Sequence, residues 1–240
     1  MGFSFGRQDL DLVLVPSGLL IMFVYHLVLL FRYIHRPHTT FMGFENNDKR
    51  AWVESIMKDK EKNVSTALTV INSNTNASIY LATISLTLCS IIGVWIANSA
   101  SVVFESKIII GDTRQSTMAI KFITLLTCFL LAFSCFVQSA RHLVHASYLI
   151  SNPSNDVSAS SVESSVIRGG ELWSLGLRAL YFALNLLLWF FGPIPMFICS
   201  VCIVILLHYL ESNSTPFNEY GSGTQTAKRN ARRDVQGSYY

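Results

Sequence analysis

Ser134, Gln138, Arg141, His142 and His145 recur at helical spacing through SCFVQSARHLVH, a stretch that begins deep in an apolar run and ends at its polar edge. Hydroxyl, amide, guanidinium and imidazole groups sharing one helical face would suit an ion, proton or polar-ligand path, because ionisable groups at membrane depth are costly and mark candidate sites. The same face equally suits a polar seam that locks helix register, with Arg141 as its anchor. Interhelical polar contacts of about 0.6 kcal/mol are routine in membrane bundles. A polar stripe that enters hydrocarbon is expected to face the bundle interior, with Asn185 and Glu171 as partners. His26, about a turn and a half inside the first apolar run, is a further candidate, although one carbonyl or hydroxyl satisfies a neutral imidazole.

Two histidine pairs raise metal or haem ligation: His35-x-x-His38 and His142-x-x-His145. Such spacing seats a metal on a helix, and histidines on separate helices can clamp a haem. Neither pair has carboxylates or thiolates beside it in sequence, and Pro37 works against a helix through the first. No metal ligand and no cofactor is assigned. Cys199-x-x-Cys202 has redox spacing, but apolar burial disfavours the thiolate. All five cysteines, Cys89, Cys128, Cys135, Cys199 and Cys202, lie in apolar runs and read as small hydrophobes without disulfides. The chain shows no phosphate-cradling glycine loop, nucleophile elbow or HExxH. It does not read as an enzyme.

The elements that position these residues follow from composition. Of 240 residues, 51% are hydrophobic and 14% charged, where soluble domains carry about 25% charged. The charges gather between long uncharged runs, the pattern of an integral membrane protein whose first partner is the lipid bilayer. A net charge of +3 without a basic face gives no reason to expect nucleic acid. A crossing helix needs about 20 apolar residues, and four segments qualify: 10–31, 78–97, 120–140 (its helix continuing to about 150) and 180–210. The expected fold is therefore all-α, with four transmembrane helices.

The fourth run contains FFGPIPMF. At about 1.5 Å per residue neither half is expected to cross alone, so the run reads as one span kinked at Gly192, Pro193 and Pro195, with a re-entrant pair as the alternative. The carbonyls that proline leaves without donors need partners, so the bend should face protein. Lys121 is expected to snorkel to the headgroups. In the second run Ser78, Ala82, Ser85, Cys89 and Gly93 recur every three or four residues as a face of small side chains, on which a neighbouring helix is expected to dock.

Between the runs, residues 32–77 form a connection whose stretch 46–71 has the period of an amphipathic helix, suited either to a membrane surface or to packing on its own bundle. Residues 1–9 precede the first run, which has no small-residue cleavage site after it and reads as a retained anchor. Residues 98–119 form a short loop, 151–179 a second large connection, and 211–240 a disordered tail containing KRNARR. Ten Lys and Arg residues flank the spans on the side of both large connections against four on the other, which places the amphipathic helix in the cytosol and both termini outside or in a lumen. With four spans the sequons at Asn63, Asn76 and Asn213 fall on both sides.

YHLVLLFRYIHRPHTTFMG, KRAWV, KFITLLTCFLLAF, RHLVHASYLI and above all RAxYFALxxLLWxxGPIPM resemble the plant branch of a membrane-protein family catalogued as domain of unknown function number 599, from about Asp9 to Leu210. The resemblance implies a multi-span membrane protein from a plant-like source. It makes Arg50–Trp52, Lys121, Arg178–Tyr181 and Gly192–Pro195 look like family features, and it brings no catalytic residue or cofactor. The expected function is a non-enzymatic helix-packing scaffold, or a subunit that associates with itself or a membrane partner, in the plasma membrane or an endomembrane. Small-solute or ion transport along the 134–145 stripe is the second reading, and a histidine-ligated haem or metal oxidoreductase the third.

Overall fold

The computed structural model describes residues 7–98, 115–152 and 158–211; the expected disordered tail and most of the 98–119 loop lie outside them. Among the described residues the chain is helical almost throughout: α1 (Arg7–His35), a short 3-10 turn (Pro37–Thr39), α2 (Phe41–Lys58), α3 (Lys60–Asn98), α4 (Gln115–Ser151), α5 (Ala159–Leu188) and α6 (Pro193–Glu211). Local chemistry sets several boundaries. The Thr40 hydroxyl accepts from the Gly43 amide at 3.3 Å and caps α2. Gly43 must lack a side chain because a Cβ there would lie 2.1 Å from the Pro37 carbonyl oxygen. Ser158 caps α5 in the same way, accepting from the Ser160 amide at 3.2 Å.

Five helices, not four, are long and apolar enough to cross a membrane: α1, α3, α4, α5 and α6. The difference lies in the run that was expected to be a single kinked span. Gly192 has φ 143°, a left-handed backbone that closes α5 without a Cβ penalty. Pro193 is the first residue of α6, where its missing N–H costs nothing. The chain therefore reverses instead of bending. Asn185 bonds Ser200 at 2.8 Å and Arg178 bonds Glu211 at 3.1 Å, pairs that straddle the turn as only an antiparallel hairpin allows. Each arm is also longer than the apolar core alone suggests. α5 starts at Ala159 and has 30 residues, and α6 has 19, so they reach about 45 Å and about 28 Å against a hydrocarbon layer of about 30 Å.

The turn faces protein. Trp189, Phe190 and Pro193 are buried, and the Trp189 carbonyl, one of those freed by proline, accepts from the Gly192 amide at 3.2 Å and from Lys121 Nζ at 3.2 Å. Lys121 thus does not snorkel outwards: it is 1% exposed, with its ammonium 5.1 Å from the centre of the Trp189 ring. The Trp189 indole in turn donates to Asp11 of α1 at 3.3 Å. The apolar cluster around this turn joins Val15, Phe122, Leu125, Leu186 and Met196.

The small-residue face of α3 is used inside the chain. α4 packs along both α3 and α5. Ser78 and Ser85 are fully buried and Ala82 nearly so, with the Ser78 hydroxyl 3.2 Å from that of Ser139. Cys89 packs half-buried on the hairpin cluster. Gly93 leaves this seam: among the described residues nothing lies within 4 Å of where its Cβ would be.

α3 and α4 have 39 and 37 residues, about 58 Å and about 55 Å, so both extend well past the bilayer core. Their extensions meet α2 and the start of α5 in a second apolar core, which includes Val53, Ile56, Ile71, Ala146, Ile150 and Val162. The amphipathic segment expected over 46–71 therefore packs on the bundle, and it is two helices, interrupted at Asp59 with φ −122° and ψ 55°. In the apolar half the outer faces carry exposed Leu12, Leu20, Phe31, Val94, Ile123 and Ile198, surface suited to contact with lipid.

These contacts separate two leucine substitutions. Ala82→Leu, forced against Phe136 and Ala132, should lower stability by about 1–3 kcal/mol, whereas Gly93→Leu, in open space, should leave thermal unfolding in detergent unchanged.

Candidate functional site

α1 packs chiefly along α6 and meets α5 at a few side chains, and the space left between α1 and α5 is a cavity of about 550 Å³. That lies within the roughly 300–1,000 Å³ common for small-molecule sites. Its walls are apolar: Phe23, Leu27 and Leu30 from α1, Leu175 and Phe182 from α5. Leu27, Leu30 and Leu175 are about half exposed, so the cavity opens sideways onto the surface that lipid covers.

Two polar pairs close the end towards α2. Tyr33 of α1 donates to Glu171 of α5 at 2.6 Å and accepts from Asn46 of α2 at 3.0 Å, so this one hydroxyl fastens three helices. Nearer the turn, Arg178 donates to both Glu211 oxygens at 3.2 and 3.1 Å. Each side chain of that pair is about one-fifth exposed, so the pair is held largely away from water. Matched charges in a low-dielectric wall tolerate one another, but either one alone would not.

His26 stands in the cavity wall at the level of Arg178. Its Nδ1 donates to the Met22 carbonyl at 2.7 Å, and its ring lies 5.1 Å from that of Phe182. Nε2 is buried and has no partner among the described residues.

The other residues singled out by sequence do not join it. Ser134, Gln138, Arg141 and His145 face outwards from α4, and His142 is half-buried; the expectation that this stripe turns into the bundle is corrected. The inward face of α4 is instead the one containing Phe129, Ala132, Phe136, Ser139 and Leu143, and its polar member is Ser139, which donates to the Gly169 carbonyl at 2.7 Å. Outward placement costs little. The Ser134 hydroxyl donates to the Leu130 carbonyl at 2.8 Å. The residue after Gln138, Ser139, meets Gly169, two residues before Glu171, so Gln138 and the residues after it stand near the polar start of α5. His142 borders a shallow pocket with Arg168 and Glu171. Asn185 is fully buried and engaged with Ser200 across the hairpin, not with α4. His35 stacks on Phe31 at 4.2 Å. No three His, Cys, Asp or Glu side chains converge among the described residues.

Tyr33, Glu211, Ser139 and Ser200 were not legible as site or seam residues. Glu211 had one available signal: it is the acidic residue that ends the long uncharged run opened by Arg178, and two opposite charges bracketing such a run fit a hairpin whose ends meet.

Five long apolar helices, a partly buried ion pair between two of them and a cavity open sideways define the class, an all-α integral membrane protein of the multi-pass kind. The chain belongs to the family described as "Protein of unknown function, DUF599", whose model matches residues 13–216. Comparison with curated proteins and with solved structures finds no match.

The Arg178–Glu211 pair makes a non-additive prediction. Arg178→Met alone strands a carboxylate and should cost about 3 kcal/mol. The double variant with Glu211→Leu should recover most of that loss in detergent melts.

Proposed function

We propose that this protein is a non-enzymatic membrane component that binds one chain of a membrane amphiphile in the cavity between α1 and α5. The observation that carries the proposal is the combination of an apolar, laterally open chamber with matched polar pairs at one end. Lipid chains reach such a chamber without crossing water, and the paired charges favour a ligand that is polar only at its tip. The small-residue face of α3 is occupied by α4, which leaves other surfaces for assembly with a second copy or another membrane protein. The outward placement of the α4 stripe supports binding in the chamber over conduction along α4. RALYFALNLLLWFFGPIPM at 178–196 supports assignment to the plant branch of the family.

The hairpin also revises the proposed orientation. With five crossings the termini lie on opposite sides, and the four basic residues of the tail join the side of the large connections. The count becomes fourteen Lys and Arg against four, a stronger cytosolic preference for the α2 end than ten against eight, the count with the tail opposite. We place the N-terminus outside or in a lumen and the C-terminus in the cytosol. All three sequons then face the cytosol.

Impermeant thiol labelling of intact cells or sealed vesicles should modify Ser4→Cys and spare Ser222→Cys until the membrane is permeabilised, and N-glycosidase should leave the mass of the protein unchanged. Labelling of both positions from one side would overturn five crossings. To test the chamber, Leu175→Trp should reduce lipid retained on purification several-fold with unfolding unchanged. Equal retention in the variant would count against the binding reading.

A further inference from the structure

We infer that the amphiphile of the α1–α5 cavity is an anionic phospholipid whose phosphate is held outside the cavity, by Arg168 of α5 and His142 of α4; this rests on the binding proposed above and names its headgroup chemistry. His142, Arg168, Glu171, Leu172 and Leu175 border a shallow pocket of about 370 Å³ between α4 and α5. Glu171 and Leu175 also line the cavity, so the two hollows meet across the outer face of α5. Positions 168, 171, 172 and 175 follow the helical period and form one stripe of that face. A chain can therefore enter the cavity over Leu172 and the half-exposed Leu175 while its head stays beside Arg168.

The charges of the two hollows differ. In the cavity Arg178 is engaged with both oxygens of Glu211, and Tyr33 holds Glu171 from the α1 side at 2.6 Å. In the shallow pocket the cations are open: among the described residues neither Arg168 nor His142 makes a hydrogen bond or ion pair. Arg141 and His145 also act on the His142 ring by their charge, so two arginines stand against the single carboxylate of Glu171. A guanidinium offers phosphate a planar fork of donors, and His142 has a ring N–H to give whether neutral or charged. A cationic head would be repelled by both arginines, and an uncharged one would leave their charge unused. The spacing fits one lipid chain. From Leu172 to Phe182, in the cavity wall, is ten residues, about 15 Å of helix, half of a hydrocarbon layer of about 30 Å.

The test uses the full chain in detergent and measures retention of radiolabelled dioleoyl phosphatidic acid against dioleoylglycerol, which has the same chains and no phosphate. Wild-type protein should hold the phosphate lipid about tenfold more tightly or better. Arg168→Gln should remove most of that preference with unfolding unchanged, whereas Lys62→Gln, the same loss of charge at an exposed position of α3, should keep it. Inorganic phosphate in excess at constant ionic strength should fail to displace the lipid, and displacement would overturn the lipid headgroup in favour of a free anion. Equal retention of the two lipids by wild-type protein, or an undiminished preference in the double variant Arg168→Gln and His142→Gln, would overturn the headgroup inference and leave the cavity reading standing. Retention of neither lipid would remove both.

Discussion

A polypeptide that reverses direction between two membrane-crossing helices must find partners for the carbonyls its turn releases, and here that duty falls on Lys121. The end of α5 offers its last carbonyls to a segment that begins with proline and so has few amides to give. An ammonium at a helix C-terminus also complements the helix dipole. Lys121 meets the Trp189 carbonyl from α4, and the Trp189 side chain reaches Asp11 of α1. One turn is thereby fixed to two other helices, and the positions of α1, α4, α5 and α6 at that end follow from it. A charge-assisted hydrogen bond of this kind is worth about 1.5–3 kcal/mol, more than most contacts between apolar helices.

The opposite end is organised by a different force. There α3, α4 and α5 outrun the bilayer, and their extensions bury Val53, Ile71, Ile150 and Val162 together with α2, as a water-soluble bundle does. The helices are thus continuous through two solvents. Small residues, Ser78, Ala82 and Ala132, allow close approach where lipid supplies no hydrophobic drive, and larger aliphatic residues take over where water does. The cavity occupies the level between these regimes. α1 is drawn to α6 by the hairpin end and to α2 through Tyr33 and Asn46, and among the described residues none fills the cavity left beside α5.

Sequence alone determined the all-α membrane class, the small-residue face, the protein-facing turn at Gly192–Pro195 and the reach of α4 to about residue 150, because these depend on local composition and on spacing along one helix. The number of crossings was also written locally, in glycine just past one helix and proline at the start of the next, but the punctuation was read as a kink, since the apolar run measured from Leu180 omitted the 21 residues by which α5 precedes it. What only the tertiary structure decided is which faces meet. Helical period assigns Ser134, Gln138 and His145 to one face and Ser139 to another, yet in a membrane both faces of α4 are largely apolar and neither declares itself inward. The Arg178–Glu211 and Tyr33–Glu171 pairs join residues 33 and 138 positions apart, and such pairing comes from helix order and antiparallel register, which no single segment contains.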